Sequence, residues 1–257
     1  MYVVKYVLFW GYLVTCKLPS LLVSCLFLDK MENYSDQQKV LLAVDCIIFG
    51  FDMENLKILL IKRDFEPEKG KWSLMGGFLK DNETLDSAAT RVLNDLTGLD
   101  NIYMEQLRAY SALDRDPVER TVSVSYYALI NIADYTVLNS NFSAKWFDIS
   151  EAPDLIFDHN VMVENAISRL RYRAFTKPIG FELLPEKFTM KQLQSLYETI
   201  LGEKLDKRNF INKINALDIL LKTEEKDMNS SRKGSYFYMF DEVKYTAKVA
   251  EGFTFKL

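Results

Sequence analysis

Residues 77–99 read GFLKDNETLDSAATRVLNDLTGL, and this stretch decides which fold the chain adopts. Apolar residues recur between positions 84 and 96 at spacings of three and four, which predicts an amphipathic helix. Gly98 follows where a helix C-cap residue belongs, because glycine readily adopts the left-handed conformation found there. The stretch therefore predicts a loop, a helix and a second loop.

The spacing of glycines and charged residues in this stretch resembles the Nudix box, the signature of the Nudix hydrolase family. In that family a glycine is followed by five residues and a glutamate, then by seven residues and an arginine, and the box ends on a glycine and an apolar residue. The matching positions here are Gly77, Glu83, Arg91, Leu93, Gly98 and Leu99. The resemblance implies an α/β class protein, with an α/β/α sandwich around a mixed sheet.

The metal-binding part of the box is the part that this chain lacks. Nudix enzymes cleave nucleoside diphosphate derivatives with a divalent cation, usually magnesium, held by three glutamates on one helix face. Val92, Asp95 and Leu96 occupy those positions here, so only one carboxylate remains. We therefore expect no catalytic residue, no metal site and no cofactor, and Mg²⁺ matters only if the chain is a hydrolase. Glu83 and Arg91, which brace the loop against the helix in the family, are retained.

The residues around the box predict the rest of a mixed α/β domain over residues 38–176. Runs of β-branched and aromatic residues predict strands at 40–51, 56–63, 122–132 and 144–149, and residues 72–78 hold the Gly76-Gly77 pair. A helix is predicted at 161–175, with Asp158 or Asn160 as its cap.

A second domain is predicted over residues 177–257, beginning at Lys177-Pro178. Amphipathic helices are expected at 189–201 and 206–217, and strands at 219–223 and 236–240 with a polar loop between them. Two helices joined by a short turn and followed by a hairpin are typical of a winged helix-turn-helix. This segment is slightly basic whereas the rest of the chain is acidic, which is compatible with a nucleic-acid partner.

Beyond the box, the chain resembles the Nudix-related transcriptional regulators, which join a Nudix sensor domain to a C-terminal winged helix. The similar stretches are DCIIFGF (45–51), KWSLMGGF (71–78), DRDPVERTVSVSYYALIN (114–131), DHNVMV (158–163) and FTMKQLQSLYETILGEKLDKRNF (188–210). The resemblance is strongest to the arabinose-responsive member, and other members bind ADP-ribose. It implies a ligand-responsive regulator that binds a double-stranded DNA operator as a homodimer.

A dense charged loop and two aromatic residues are the candidate ligand-binding residues. Arginine suits phosphate and carboxylates suit sugar hydroxyls, so the mixture leaves a sugar-like and an ADP-ribose-like effector open. Surface ion pairs and core packing are the alternatives for single residues. Loss of the metal site tilts the expectation modestly towards a sugar. The candidates are Trp72, Phe78, Asp114, Arg115, Asp116, Glu119 and Arg120.

The second helix of a helix-turn-helix enters the major groove, so its exposed polar residues are the candidate DNA-binding residues. Ile211 and Asn212 stand where relatives carry more arginines, so either the strength or the sequence preference of DNA binding is expected to differ from theirs. The candidates are Lys207, Arg208, Asn209, Asn212 and Lys213 on the helix, with Arg232 and Lys233 in the wing.

The N-terminal residues 2–28 are strongly apolar, with only Lys5 and Lys17 charged. They are either a signal peptide or membrane anchor, or an untranslated extension of a protein that starts at Met31, which we favour. Three cysteines without metal-ligand spacing favour a cytoplasmic location, and no stable membrane association is expected.

Two other functions remain open. A Nudix pyrophosphohydrolase acting on ADP-ribose or a related nucleoside diphosphate derivative would need replacements for two lost carboxylates, with Glu105 and Glu119 as candidates. A membrane-tethered sensor would need residues 2–28 to be translated and inserted. The single histidine, His159, is assigned a structural role at a helix start rather than a catalytic one.

Overall fold

The computed structural model describes residues 34–100, 102–134, 144–228 and 233–252, together with two short strands near the N-terminus. The chain forms two compact units, Met1–Lys39 and Val40–Leu257. In the first unit, β1 (Leu8–Phe9) pairs antiparallel with β2 (Tyr12–Leu13), and a 3-10 turn spans Tyr34–Asp36. The rest of the apolar N-terminal stretch lies outside the described residues. None of the helices described is both long and apolar enough to cross a membrane.

The second unit contains two groups of elements in chain order. The first group is β3 (Leu41–Phe51), β4 (Leu56–Lys62), β5 (Trp72–Ser73), β6 (Met75–Phe78), α1 (Leu85–Thr97), β7 (Glu105–Tyr110), β8 (Thr121–Asn131), β9 (Lys145–Asp148) and α2 (His159–Thr176). The second group is β10 (Phe188–Thr189), α3 (Met190–Leu201), α4 (Lys207–Leu217), β11 (Leu220–Asp227), β12 (Ser235–Phe240) and α5 (Glu242–Ala250).

The first group forms a seven-stranded mixed sheet with β3 at its centre. β3 runs parallel to β8 and antiparallel to β4 and β6. Residues of β3 are buried on both faces, which explains its nearly continuous apolar sequence. α1 packs on one face through Ala88 and Val92, and α2 on the other through Met162 and Ala166, so the predicted α/β/α sandwich is confirmed.

The winged helix shares one of these two cores with the sheet. Its helices α3 and α4 and its small sheet, in the order β10-β12-β11, form the predicted helix-turn-helix and wing. Leu193, Tyr197 and Phe210 belong to the same buried cluster as Phe49 and Phe51 of the Nudix sheet. The winged helix is therefore packed directly on the sheet face that also carries α2.

Local sequence explains where the main helices begin and end. Thr84 caps α1, and its hydroxyl accepts a hydrogen bond from the Ser87 amide while the Ser87 hydroxyl accepts one from the Thr84 amide. Gly98 ends α1 at φ 75°, and Gly202 ends α3 at the same φ. The predicted positions of both helices are confirmed to within a residue or two.

Other elements differ from the sequence prediction. Strands β5, β6, β7 and β10 and helix α5 were not predicted, and β11 extends to Asp227 through a segment predicted as loop. The sequence of β11 is LLKTEEKD, and most of its residues are exposed. The strand therefore lacks the alternating apolar residues by which a half-buried strand is predicted. Asp158 does occupy the N-cap of α2, but neither it nor Asn160 caps the helix, because Asp158 binds an arginine and Asn160 accepts from the Leu155 amide.

Candidate effector cavity and nucleic-acid interface

A cavity of about 210 Å³ opens at the end of the Nudix sheet that carries the glycine pair. Strands β3, β6 and β8 form its floor, and the segments after β4, before β8 and before α2 form its walls. Its polar and aromatic lining residues are Asp45, Lys62, Arg63, Asp64, Phe65, Ser73, Phe78, Arg115, Asp116, Thr121, Phe157 and His159.

A buried carboxylate, Asp45, lies at the centre of this cavity floor and is 5% exposed. The Ser123 hydroxyl donates a hydrogen bond of 2.5 Å to its Oδ2. Asp45 faces Gly76 across the β3–β6 pair, and a Cβ on Gly76 would lie 2.3 Å from Asp45 Oδ1. Glycine is therefore required at position 76, since any side chain there would displace the carboxylate.

Two further groups surround Asp45. His159 Nε2 lies 3.6 Å from Asp45 Oδ1, and Arg115 Nη2 lies 3.8 Å from Asp45 Oδ2. The Leu74 amide donates to His159 Nδ1 at 3.2 Å, which places the ring proton of the neutral form on Nε2, towards Asp45. Burial lowers the pKa of His159 below its ordinary value, so the ring is neutral at pH 7. The Asp45 carboxylate is therefore flanked by a neutral donor, His159, and a charged donor, Arg115.

The sequence-predicted ligand residues divide into two sets. Phe78, Arg115 and Asp116 line the cavity, and Phe78 is 46% exposed. Trp72, Asp114, Glu119 and Arg120 do not line it, and the assignment of all seven as ligand-binding residues stays a prediction.

Each of the four residues outside the cavity has a different environment. Trp72 packs edge-on against Phe147, with ring centroids 4.8 Å apart. Arg120 donates to the backbone carbonyls of Ser111 and Ala112 and so closes the loop onto itself. Asp114 and Glu119 are exposed on the same loop. The charged residues of this loop are close together in the sequence, but only some of their side chains point into the cavity.

The cavity also contains polar and aromatic residues that the sequence analysis did not name as ligand candidates, including His159, which it assigned a structural role; these are Asp45, Lys62, Arg63, Asp64, Phe65, Ser73, Phe157 and His159. For Asp45 a signal existed, because a lone acid in the apolar run VLLAVDCIIFGF is costly to bury without partners. The others lie in segments without periodic pattern, and only the fold brings them together.

The brace of the Nudix box is present. Arg91 forms a bidentate pair with Glu83, with Nη2 at 2.9 Å from Oε2, and also donates to the Phe78 carbonyl at 3.0 Å. The Arg91 guanidinium holds the pKa of Glu83 below its usual range. The Lys80 amide donates to the same carboxylate, so the loop is fixed against α1 as the resemblance implied.

The metal positions of the box do not fit a divalent cation. Val92 is 2% exposed within the core, and Leu96 packs against that core while lining the cavity. Asp95 is exposed and pairs with Arg91 at 3.6 Å. In the described part of the chain, no three His, Cys, Asp or Glu side chains cluster as a metal site. Hard cations need several oxygen ligands, and these positions supply one.

The two suggested replacement carboxylates do not restore the metal site. Glu105 lines a different cavity, of about 450 Å³, and pairs with Arg169 and Arg173 of α2. Glu119 is exposed and does not line the cavity that contains Gly76 and Gly77.

Helix α4 presents a polar surface to solvent. Phe210 and Ile214 are 3% and 1% exposed, and Phe210 packs against Tyr197 of α3 with ring centroids 5.5 Å apart. Asp206 caps α4 by accepting from the Asn209 amide at 2.8 Å. All five predicted helix residues are exposed, namely Lys207, Arg208, Asn209, Asn212 and Lys213.

The wing hairpin carries exposed lysines, although β11 also carries Glu224, Glu225 and Asp227. Lys222 and Lys226 of β11 both lie over the Tyr236 ring of β12, at 3.7 and 4.5 Å from its centroid, and the sequence analysis did not single them out. Lys233 is exposed next to β12, whereas Arg232 lies outside the described residues. A helix with exposed Arg and Asn beside a lysine-bearing hairpin provides both base-reading and phosphate-binding groups.

Comparison with known proteins gives the same two parts. Residues 39–166 match the NUDIX domain family, and residues 180–240 match the family described as NrtR DNA-binding winged helix domain. The chain is 33% identical over 208 residues to a protein of Acinetobacter baylyi named ADPR responsive transcriptional repressor NtrR, covering 79% of this chain and 83% of that protein.

Two other relatives are informative. The crystal structure of Shewanella oneidensis NrtR complexed with a 27mer DNA superposes with a TM-score of 0.73 at 28% identity, over 83% of this chain and 97% of that chain. An ADP-ribose pyrophosphatase of Methanocaldococcus jannaschii is 35% identical over 123 residues, 48% of this chain and 70% of that protein. The sequence resemblance to Nudix-related regulators is thereby confirmed, whereas its arabinose-responsive branch receives no support from these relatives.

Proposed function

This chain belongs to the NrtR family, in which a Nudix domain precedes a DNA-binding winged helix, and we propose that it is a transcriptional repressor whose operator affinity responds to ADP-ribose. The observation that carries the proposal is the shared core, in which the winged helix packs on the Nudix sheet face that also carries α2 and Asp45.

Exposed groups on α4 support DNA as the partner. With Phe210 and Ile214 buried, Arg208 and Asn212 are on the solvent side, where Arg can read guanine and Asn can read adenine. Lys222, Lys226 and the other lysines supply phosphate contacts that fix the register on the duplex. We propose a homodimer on two half-sites, acting in the cytoplasm, because helix-turn-helix regulators bind such operators as dimers.

The name of the Acinetobacter baylyi relative supports ADP-ribose as the effector in place of the sugar towards which the sequence tilted. The cavity offers arginines for a diphosphate and carboxylates for ribose hydroxyls, a combination that a neutral pentose would use only in part. We propose binding without hydrolysis and without a resident cation, because Val92 and Leu96 are packed apolar residues.

Helix α2 connects the proposed effector cavity to the DNA-binding helices. His159, its first residue, lines the cavity, and Arg171, near its other end, donates from Nε to the Ile200 carbonyl of α3 at 3.0 Å. The β3–β4 turn makes a second contact, where Thr199 Oγ1 lies 3.3 Å from the Glu54 carbonyl oxygen while its hydroxyl also has the Ser195 carbonyl at 2.8 Å. An effector that repositions α2 would therefore move α3.

The proposal is tested by fluorescence anisotropy with DNA from upstream of the gene and its neighbouring operons. ADP-ribose should change the Kd for one of these fragments by about fivefold or more, the usual range of allosteric coupling, whereas L-arabinose should leave it unchanged. Absence of a specific complex under every condition would rule out the regulator. In parallel, chromatography of ADP-ribose incubated with the protein and Mg²⁺ should show the nucleotide intact, and rapid turnover would revive the pyrophosphohydrolase.

A further inference from the structure

Arg63 is a cavity residue that no other observation above explains. It directly follows β4, and its backbone is fixed on both sides, since its amide donates to the Lys71 carbonyl and its carbonyl accepts from the Gly70 amide at 2.7 Å. The side chain therefore starts from a defined point on the cavity wall.

Two aromatic rings hold the guanidinium of Arg63 in place. Its Cζ lies 3.7 Å from the centroid of the Phe65 ring and 5.5 Å from that of Phe157. Nε donates to the Phe65 carbonyl at 3.1 Å. Within the part of the chain that the structure describes, the two terminal nitrogens make neither a hydrogen bond nor an ion pair.

The lack of an anionic partner distinguishes Arg63 from the other arginine of the cavity. Arg115 is neutralised by Asp158 at 2.8 Å, with Asp45 nearby at 3.8 Å. Partial burial lowers the pKa of Arg63, and four nearby carboxylates that form no direct ion pair with it offset this only in part. A partly buried guanidinium with free donors is stabilised when an anion enters the cavity.

We propose that Arg63 receives the diphosphate group of the effector and makes the cavity selective for anionic nucleotide derivatives over neutral sugars. The inference rests on the proposed function for the identity of the effector, but not for the anion. Stacking on Phe65 orients the plane of the guanidinium, so its two terminal nitrogens meet a phosphate as a preformed fork. Phe65 is itself 52% exposed, so the ring and the fork are both reachable from solvent.

The test is isothermal titration of the full chain with two probes, ADP-ribose and inorganic pyrophosphate. Arg63→Ala should weaken both by about 10- to 100-fold, as expected for loss of a charge-assisted pair, and Arg63→Lys should recover part of the affinity. Lys69→Ala is the matched control, because it removes a positive charge from the same loop outside the cavity and should bind both probes like the wild type. Circular dichroism checks that each variant is folded.

The outcomes separate this inference from the proposed function. Wild-type binding of both probes that Arg63→Ala leaves unchanged would overturn the role of Arg63 and leave the ADP-ribose proposal intact. Pyrophosphate binding that depends on Arg63, without ADP-ribose binding, would keep the anion site and refute the proposed effector. If the wild type binds neither probe, both proposals are wrong.

Discussion

Arg115 and Asp158 form a bidentate ion pair at the wall of the candidate effector cavity. Nε and Nη2 of Arg115 donate to the two carboxylate oxygens of Asp158 at 3.0 and 2.8 Å, and the arginine side chain is 4% exposed. Asp158 precedes the first residue of α2, so the pair ties the loop before β8 to the helix that reaches α3. It is the direct link between the cavity and the start of that helix.

Removing one partner of this pair should be costly. In Asp158→Ala, Arg115 is left buried with only Asp45 nearby, and the free energy of unfolding should fall by about 3 kcal/mol. Urea denaturation measures the change. Asp154→Ala removes an exposed acid from the same loop and should stay within about 0.5 kcal/mol of the wild type. Equal stability of the two variants would show that the pair contributes nothing.

The contact between Gly77 and Val92 tests whether the Nudix-box position that holds Val92 is part of the hydrophobic core. A Cβ on Gly77 would lie 2.7 Å from Val92 Cγ2, so Gly77→Ala is expected to cost about 1–3 kcal/mol through overpacking. Val92→Ala makes room, so the double variant should be less destabilised than the sum of the two single variants. Urea denaturation of all four proteins measures this coupling, and strict additivity would contradict the contact.

The fold was predictable where buried elements require apolar residues at the spacing of a helix or a strand. β3, β4 and α1 are half or fully buried along their length, and their predicted bounds agree closely with the structure. The predictions for β11 and α5 were incomplete because most residues of both elements face solvent. An exposed strand or helix does not need apolar residues at a fixed spacing, so its sequence carries little periodic signal. The first strand of the wing was accordingly predicted too short.

The cavity was less predictable than the fold because its lining comes from segments far apart in the sequence. The sheet and α2 bring Arg63, Arg115 and His159 into one cavity, and no local sequence pattern predicts that they lie together. Arg120 resembles Arg115 in sequence context, yet its guanidinium binds carbonyls of its own loop. Arg115 rather than Arg120 points into the cavity because Asp158 lies there and accepts its hydrogen bonds.

Because His159 is the only histidine, its titration is open to direct measurement. Its folded pKa is lowered by burial, against Asp45 and Asp158, which raise it, and Arg115 and Arg63, which lower it further. The unfolded chain therefore binds the proton first, and stability should fall as pH drops below about 6.5, by at most about 1.4 kcal/mol per pH unit from this group.

Proton NMR of the imidazole checks this pH dependence. The ring should titrate below its ordinary pKa of 6.5, and His159→Gln should flatten the slope of unfolding free energy against pH just below that value. A ring that titrates at or above its ordinary pKa of 6.5, with an unchanged slope in the variant, would contradict the buried neutral state.

Arg208 on α4 should contribute to DNA sequence recognition. If it contacts a base, Arg208→Ala weakens specific operator binding by about 1–3 kcal/mol and relaxes the preference at one position. Lys177→Ala, an exposed lysine outside the helix-turn-helix, is the control and should change binding little. Anisotropy titrations with operator and scrambled DNA compare them, and an unchanged operator preference in Arg208→Ala would remove this residue from the recognition set.

The central claim is that one chain couples an effector cavity to a DNA-binding helix through α2, and a thermodynamic cycle tests it most directly. Four dissociation constants are needed: operator with and without saturating ADP-ribose, and ADP-ribose with and without saturating operator. Linkage requires the two ratios to be equal, and we predict an equal ratio of about fivefold or more. Tight binding of both ligands with ratios of one would contradict the claim, because the two sites would then be independent.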